Sequence, residues 1–318
     1  MTDSAGFAPR QTLGYLRDLF AARGIHPKKQ LGQNFLIDLN VMDVILRAAE
    51  IDKRDIILEI GTGTGSLTSR LARDAGAVLS VEIDRDFHHL ATETVSHQHN
   101  ATLLCCDILK SKNTLNPAVL AALDQLMQRT GAAQYKLVAN LPYVVATPVI
   151  ANLLLLPRPP ERMVVMVQAE IADRLAAPPG IKDFGSLSVL VQSLAHVEIV
   201  RNRLPPAVFW PRPLVESSIV LIRVDAERRK RAGDPERLRH FLRDLYVHRR
   251  KNLRGALIGW PSGRRDKGEV DRLLAELGLD GGGRAEDLDV EQHLRLCAAF
   301  GGTAPGTREN HPGEDPIS

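Results

Sequence analysis

The sequence predicts an α/β protein with a mostly parallel sheet, an antiparallel edge and a small C-terminal helical domain. Between residues 39 and 192, short apolar runs typical of buried strands alternate with segments of helical spacing. Two later strands flank a proline-rich connection, which favours an antiparallel pair, and beyond residue 225 only helical patterns remain. A chain of 318 residues is also long enough for more than one domain.

Composition changes and breaker residues suggest four segments. We expect an N-terminal extension at residues 1–25, the sheet domain at 26–226, a basic helical domain at 227–300 and a disordered tail at 301–318. The formal net charge is only +3, but residues 227–267 carry 14 Lys or Arg against 5 Asp or Glu. Charge polarised in this way indicates a polyanionic partner for the helical domain, with a solvated helix face as the alternative.

Bulk properties exclude several classes of protein. No apolar run approaches the roughly 18 residues of a membrane span, and the N-terminus lacks the basic start and apolar centre of a signal peptide. Cys105, Cys106 and Cys297 form neither a CxxC pair nor a set with histidines at metal-ligand spacing, so we expect no metal site and interpret them as buried small residues. We expect a cytoplasmic protein that binds no membrane.

The first elements are helices around a short polar stretch. Leucines at helical spacing predict a helix over residues 12–22, and a turn follows at Gly24 and Pro27. Lys28 and Lys29 then precede the polar pair Gln33-Asn34 and the apolar pair Phe35-Leu36. Residue 38 is an aspartate suited to cap the next helix.

A nucleotide-binding unit opens at residue 56. The buried run at 56–60 leads into a loop with glycines at Gly61, Gly63 and residue 65, and then into a helix. The next strand ends at Glu82, whose carboxylate could accept hydrogen bonds from both hydroxyls of a ribose. Because the glycine pattern is not GxGxxG, this loop together with Glu59 and Glu82 favours S-adenosylmethionine over a pyrophosphate cofactor.

The third and fourth strands end in polar residues. The third strand, 101–106, ends at Asp107, which could receive the amino group of a cofactor adenine or could equally cap a loop. A helix starts at Asn116 and Pro117. The fourth strand, 135–140, ends at Asn140, which begins the stretch Asn140, Leu141, Pro142 and Tyr143 that we call the Asn-Leu-Pro-Tyr segment.

The remaining chain completes the sheet and adds the helical domain. Strands are expected at 162–168, 196–203 and 217–224, and helices at 169–177 and within 181–192. Leucines and a phenylalanine between 238 and 245 form one apolar helix stripe, and a last helix is expected at 286–300.

The Asn-Leu-Pro-Tyr segment has the groups needed to activate an exocyclic amine. Such a nitrogen is a poor nucleophile because its lone pair is delocalised into the ring. The Asn140 side-chain oxygen and the Leu141 carbonyl could each accept one N–H, Pro142 would hold that carbonyl in place, and Tyr143 would stack on the base. No general base is needed before attack, so positioning would supply most of the catalysis. For the segment taken alone, a simple turn at a strand end is the alternative.

Taken together, these motifs resemble the small-subunit ribosomal RNA adenine N6,N6-dimethyltransferases of the KsgA or RsmA type. The resemblance extends from about residue 28 to about residue 255. It rests on residues 28–36, 58–68, 81–84, 107, 140–143, 147–148, 168–170, 179–192, 209–217 and 249–254. Val144 departs from the family, whose members commonly carry an amide residue there.

The resemblance implies a Rossmann-like class I methyltransferase sheet and a set of site residues. The implied S-adenosylmethionine site comprises Asn34, Leu36, Gly61, Gly63, Glu82, Asp107 and Asn140. The implied RNA contacts are Lys28, Lys29, Arg249, Arg250, Lys251 and Arg254. The target would be two adjacent adenosines in a hairpin near the 3′ end of small-subunit ribosomal RNA, each methylated twice. We also expect the protein to be a monomer and its partner to be the RNA of an immature small subunit.

Two other functions stay open at this point. Methyltransferases of the antibiotic-resistance type, which act on large-subunit RNA, share the fold and most cofactor motifs. A ribosome-assembly factor for which catalysis is secondary is a different class, and the intact Asn-Leu-Pro-Tyr segment argues for retained chemistry.

Overall fold

The computed structural model describes residues 11–248, 250–258 and 265–300. Eleven strands are found in these ranges: β1 Phe35–Leu36, β2 Ile56–Ile60, β3 Ala77–Glu82, β4 Ala101–Cys105, β5 Leu109–Ser111, β6 Thr114–Leu115, β7 Lys136–Asn140, β8 Arg162–Gln168, β9 Ala195–Leu204, β10 Phe209–Trp210 and β11 Ser217–Val224. The same ranges contain thirteen α-helices: α1 Leu13–Arg23, α2 Leu39–Ala49, α3 Ser66–Asp74, α4 Arg85–Thr94, α5 Pro117–Thr130, α6 Ala146–Leu155, α7 Ala169–Ala176, α8 Ser186–Gln192, α9 Ala226–Ala232, α10 Pro235–Val247, α11 Leu253–Ile258, α12 Lys267–Glu276 and α13 Val290–Phe300.

A seven-stranded sheet in the order β4-β3-β2-β7-β8-β11-β9 organises the fold. The pairs from β4 to β8 are all parallel, whereas β11 is antiparallel to both β8 and β9. The predicted mostly parallel sheet is thus confirmed, and the reversed strand lies one position in from the edge. Strand order reverses direction between β2 and β7, and ligand clefts of open α/β sheets form at such a switch point.

Two hydrophobic clusters cover the faces of the sheet. Alternate residues of β2 face opposite sides, so that Ile56, Leu58 and Ile60 join the cluster that includes α5 to α8, while Ile57 joins the cluster with α2 and α3. All five residues of β2 are buried. Each large apolar side chain buried in this way contributes about 1.5–3 kcal/mol relative to an exposed one, which fixes the strand ends that carry the polar residues.

Several arginines of residues 227–267 bind backbone carbonyls of other helices. Arg228 donates to the Gln192 carbonyl at 2.6 Å and Arg229 to the Leu156 carbonyl at 2.9 Å. Arg237 donates to the carbonyl of Cys297 at 3.1 Å. Part of the predicted basic surface therefore has an internal structural role, because these guanidinium groups satisfy carbonyls at element ends.

Some expectations from the sequence need correction. The last helix starts at Val290 rather than at residue 286, because residues 285–287 form a separate 3₁₀ turn. Cys105 is exposed and Cys106 is half-buried, so only Cys297 is the buried small residue expected of all three. Residues 1–10 and the 301–318 tail lie outside the described residues, as does Arg249. None of the helices within residues 11–248, 250–258 and 265–300 is both long and apolar enough to span a membrane.

Candidate active site

A cleft lies at the carboxyl ends of β2, β3, β4 and β7, and its empty space, including the part that is open to solvent, is about 920 Å³. Its walls combine the glycine loop after β2, the ends of β3 and β4, the Asn-Leu-Pro-Tyr segment after β7, and residues 31–35 from the chain before α2. The strand ends therefore bring together groups that are far apart in sequence.

The glycine loop lies directly against the Asn-Leu-Pro-Tyr segment. Gly61 has a φ of +85°, and a Cβ at this position would lie 3.1 Å from Cδ and Cγ of Pro142. At Gly63, which has a φ of +57°, a Cβ would lie 3.1 Å from the Phe35 ring. Both residues line the cleft, and the absence of side chains allows a ligand to approach the backbone closely.

Glu82 is a nearly buried carboxylate in the wall of the cleft. Only 6% of the residue is exposed, and its two oxygens accept hydrogen bonds from the backbone N–H groups of Gly63 at 2.8 Å and Asp84 at 2.9 Å. Burial raises the pKa of Glu82, and these N–H donors oppose the rise. A carboxylate has about four acceptor positions, so capacity remains for hydroxyl donors such as those of a ribose.

Asp107 lies in the cleft wall at the end of β4. It is exposed, and one of its oxygens accepts the backbone N–H of Leu109 at 2.8 Å. This bond is the loop-capping role considered for the residue, and it leaves the second carboxylate oxygen for a ligand. The two roles inferred from the sequence are therefore compatible.

The orientation of Asn140 is fixed by the segment before α2. Its Nδ2 donates to the backbone carbonyl of Asn34 at 3.0 Å. Because only the NH₂ end of the amide can donate to a carbonyl, the side-chain oxygen is the end left over, and no described residue donates to it. Asn34 donates in turn from its own Nδ2 to the Gly32 carbonyl at 3.1 Å.

Leu141 and Pro142 contribute mainly through the backbone and through shape. The Leu141 side chain is buried, and its N–H donates to the Met166 carbonyl at 3.2 Å. The Pro142 carbonyl accepts the N–H of Val145 at 3.1 Å, which closes a turn before α6. The described part of the chain supplies no donor to the Leu141 carbonyl, which is therefore available to a ligand.

Tyr143 is half-buried, and its ring is held at the hydroxyl end. The hydroxyl lies 2.7 Å from Oγ of Ser217, the first residue of β11. Burial raises the pKa of Tyr143, and the hydrogen bond with Ser217 opposes the rise. The next residue, Val144, is 63% exposed at the mouth of the cleft, so the position that departs from the resembled family presents an apolar surface there.

A buried polar network lies below the glycine loop. Oε2 of Glu59 accepts hydrogen bonds from Thr68 of α3 and Ser80 of β3, each at 2.6 Å, and Thr62 of the loop lies 2.5 Å from Ser80. Burial raises the pKa of Glu59 to about 8, although the two hydroxyl donors oppose the rise. The network links the loop to the first turn of α3 and to two strands, so Glu59 supports the loop from below.

Residues 28–36 include both expected and unexpected roles. Leu36 is buried in the hydrophobic cluster with α2 and does not line the cleft, because strand alternation turns Phe35 toward Gly63 and Leu36 to the opposite side. Its side chain therefore lies away from the cofactor site in which the resemblance placed it. Lys28 pairs with Asp84 at 2.9 Å, a carboxylate that also accepts from Gln33 at 2.8 Å.

The residues expected to contact RNA differ in whether their charges are already paired with a carboxylate. Lys29, Arg250 and Lys251 are exposed, and no ion pair to them occurs within the described ranges. Arg254 is instead half-buried and pairs with Asp271, and its main chain donates to the Gly281 carbonyl at 3.0 Å. Lys28 is likewise committed to Asp84.

Sequence reasoning missed several parts of the cleft. Ile83 lines the wall and is 46% exposed, and its position after Glu82 at a strand end was the available signal. Gln33 and Cys106 also line the cleft. The contact of Tyr143 with Ser217 had no local signal, because 74 residues separate the partners. Across the described residues, no group of three or more His, Cys, Asp or Glu side chains could hold a metal ion.

Comparison with known proteins identifies close relatives. The family model for ribosomal RNA adenine dimethylase matches residues 25–299. A ribosomal RNA small subunit methyltransferase A from Geobacillus thermodenitrificans is 37% identical over 290 residues, which cover 91% of this chain and 96% of the relative. The protein of the same name from Pediococcus pentosaceus is 37% identical over 281 residues, or 88% of this chain and 92% of the relative.

Solved structures share the fold. A dimethyladenosine transferase from Plasmodium falciparum matches with a TM-score of 0.66 and 23% identity, over 81% of this chain and 94% of that one. The 23S rRNA methyltransferase ErmE matches with a TM-score of 0.60 and 24% identity, over 84% of this chain and 99% of that one. At these identities the two structures establish the α/β architecture and its helical C-terminal region.

Proposed function

The chain belongs to the ribosomal RNA adenine dimethylase family, and from this premise we propose that it dimethylates N6 of two adjacent adenosines in small-subunit ribosomal RNA. The family makes it a methyltransferase that uses S-adenosylmethionine. We place the two adenosines in a hairpin near the 3′ end of that RNA, and the natural substrate is an immature small subunit. The enzyme acts as a cytoplasmic monomer.

The observation that carries the proposal is the fixed amide of Asn140 at the edge of the cleft. The hydrogen bond to Asn34 directs its amide nitrogen away and leaves its oxygen as an acceptor. The Leu141 carbonyl, one residue on, is the second acceptor. Two acceptors on adjacent residues match the two N–H groups of an adenine amine, which must be held so that its lone pair points at the methyl donor.

The residues of the cleft fit S-adenosylmethionine. Gly61 and Gly63 expose only backbone to the cleft. Glu82 keeps acceptor capacity for ribose hydroxyls, and Asp107 keeps one free oxygen for an adenine amino group. Bound S-adenosylmethionine supplies an electrophilic methyl group on a positively charged sulfur. We assign Asn34 and Asn140 to the same site, and we leave Leu36 out because its side chain packs in the core.

The protein's own groups act by orientation and by electrostatics. As the amine nitrogen attacks, positive charge develops on it, and the Asn140 oxygen and Leu141 carbonyl stabilise that charge because both are already oriented. Tyr143 holds the base by stacking, which contributes roughly 1–3 kcal/mol per base. A base must leave its helical stack to enter the cleft, which costs about a few kcal/mol, and this cost is smaller for an unpaired loop base than for a paired one.

RNA binding is assigned to two regions around the cleft. We propose that residues 26–226 form the catalytic domain and that residues 227–300 form the basic domain that holds the RNA backbone. Lys29, Arg250 and Lys251 make the main phosphate contacts, since their charges are exposed. Lys28 and Arg254 contribute less, because Asp84 and Asp271 already neutralise them, and Arg249 remains assigned to this surface from its sequence alone.

Two observations separate this function from the alternatives. The relatives at 37% identity are small-subunit methyltransferases by name, which favours the small subunit over the large one as substrate. An assembly factor with secondary catalysis would not need a pre-oriented amide in the cleft. A role in subunit maturation is compatible with catalysis, and we propose that the enzyme has both.

Methyl-donor labelling tests the proposal. Immature small subunits and, in parallel, large subunits that lack the modification are incubated with the enzyme and labelled S-adenosylmethionine, and the modified bases are mapped. We expect dimethyladenosine at two adjacent positions of the small-subunit RNA, and none with Asn140→Ala. Labelling confined to the large subunit, or equal labelling with Asn140→Ala, would contradict the proposal.

A further inference from the structure

The hydroxyl of Ser217 lies 2.7 Å from the hydroxyl of Tyr143, although 74 residues separate the two in the chain. We propose that Ser217 is a positioning residue for methyl transfer, which acts by holding the Tyr143 ring at the position from which it stacks on the target adenine. This inference rests on the proposed function and adds to it a residue that contacts neither cofactor nor base.

Ser217 is a rigid anchor. It is fully buried, with 0% of its surface exposed, and it is the first residue of β11. Its backbone is paired on both sides, with Gln168 of β8 and with Leu204 of β9. A side chain at such a position has little freedom, because strands on both sides fix its backbone and close packing fixes its rotamer.

Tyr143 needs an external anchor because its own surroundings are open. It lies in the connection between β7 and α6 and is half-buried, and its neighbour Val144 is 63% exposed. A tyrosine ring turns about two side-chain bonds. A hydrogen bond at the hydroxyl opposes rotation about Cα–Cβ, because that rotation would carry the hydroxyl away from its partner. The ring then occupies one position before the base arrives, so less freedom is lost on binding.

The hydrogen bond joins two hydroxyls that both keep their protons at physiological pH. Burial raises the pKa of Tyr143, and Ser217 is a neutral partner. The pair therefore stays neutral across the physiological range, and either hydroxyl can donate. The ring keeps a neutral π-face for stacking, and the anchor does not titrate during the reaction.

A purely structural role for Ser217 is the competing explanation, and a matched control separates the two. Ser218 is the next residue on the same strand and is equally buried, at 0% exposure. Its hydroxyl accepts from the Arg203 N–H at 3.1 Å and donates to the Asn202 side-chain oxygen at 2.9 Å, so it is bonded within the sheet edge rather than to the site. Ser218→Ala therefore removes a comparable hydroxyl that has no contact with Tyr143.

The experiment measures kcat and KM for methylation of small subunits by Ser217→Ala, Tyr143→Phe, the double variant and Ser218→Ala. Loss of one neutral hydrogen bond corresponds to a factor of about two to ten. We expect Ser217→Ala and Tyr143→Phe each to lower kcat by this factor and to leave the KM for S-adenosylmethionine unchanged. The double variant should be no slower than the slower single variant, because both changes remove the same bond. Ser218→Ala should keep the wild-type kcat, and Ser217→Thr should restore most of it.

Three outcomes would overturn the inference: a wild-type kcat for Tyr143→Phe, effects that multiply in the double variant, or an equal loss of kcat in Ser218→Ala. If Ser217→Ala does not fold, Tyr143→Phe removes the same hydrogen bond from the other side and decides the question alone. Failure of the proposed function has a different signature, since the wild-type enzyme would then transfer no methyl group to small subunits. Such a result removes the inference together with the function.

Discussion

Replacing Gly61 by alanine tests whether the glycine loop sets the position of the Asn-Leu-Pro-Tyr segment. A Cβ at Gly61 would lie 3.1 Å from two ring carbons of Pro142 and 3.6 Å from the Asn140 carbonyl oxygen. Optimal contacts between carbon atoms are about 3.5–4.0 Å, so the proline must move by roughly half an ångström. A misplacement of about 1 Å can cost about a hundredfold in rate, and we therefore expect kcat to fall roughly tenfold.

The same substitution also strains the backbone, and a control is needed to remove that effect. The φ of +85° at Gly61 is left-handed, where a residue with a Cβ costs about 1–2 kcal/mol. Gly131, which ends α5, has a φ of +70° and no atom within 4 Å of the Cβ position. Both alanine variants should lose a few degrees of Tm, since 1 kcal/mol corresponds to about 2–4 °C in a chain of this class.

Only Gly61→Ala should lose activity beyond what its Tm explains. The assays are thermal unfolding and the kcat of methyl transfer to small subunits at a temperature well below both transitions. If Gly61→Ala is destabilised like Gly131→Ala but retains the wild-type kcat, then the contact with Pro142 does not position the catalytic groups.

Three other predictions concern the cofactor, the buried acid and the RNA. Glu82→Ala should weaken S-adenosylmethionine binding roughly 10- to 100-fold by calorimetry, because hydrogen bonds to a charged group contribute about 1.5–3 kcal/mol each; an unchanged Kd would remove Glu82 from the site. Burial raises the pKa of Glu59 from 4.5 to about 8, so this group's contribution to stability is full below pH 4.5 and is lost as pH rises through about 8. When the free energy of unfolding is measured with denaturant at several pH values, Glu59→Gln should therefore show a smaller decline between pH 4.5 and about 8 than the wild type. An equal decline in both proteins would contradict the raised pKa of Glu59. Replacing Arg250 and Lys251 by glutamine should make the slope of the logarithm of the subunit-binding constant against the logarithm of the salt concentration shallower by roughly 1–2 units. The control Arg54→Gln, at the opposite end of β2, should leave this slope unchanged.

The sheet was predictable because its signals are local. The apolar runs of β2, β3, β7 and β8 are bounded by glycine or polar residues, and the helix starts at Asp38 and Asn116 carry their own capping groups. The position of the cleft followed from these strands, since groups at the carboxyl ends of parallel strands meet at one edge. Gly61, Glu82, Asp107 and Asn140 accordingly line one cleft as expected.

What could not be predicted depends on long-range partners. Leu36 follows Phe35 in a strand of only two residues, and nothing in the sequence indicates which of the two faces the cleft until β1 pairs with β10. The exposed charge of Arg254 was a fair expectation until α12 brought Asp271 against it. Segments without side-chain periodicity, such as the loop that leads to Ser217, give no indication of which distant group they reach.

The position of β11 in the sheet determines when the sheet can be completed during synthesis of the chain. β11 lies between β8 and β9, so β9 is synthesised first yet has no strand to pair with until Ser217–Val224 follows it from the ribosome. Until then β8 presents an open edge whose residues from Met163 to Val167 are all apolar, and such an edge is prone to pair with other chains. When β11 inserts, it pairs with β8, provides the strand to which β9 pairs, and brings Ser217 to the hydroxyl of Tyr143. A nascent chain therefore completes its sheet and supplies Tyr143 with its hydrogen-bond partner at the same moment, and a chain that stops short of residue 217 has neither.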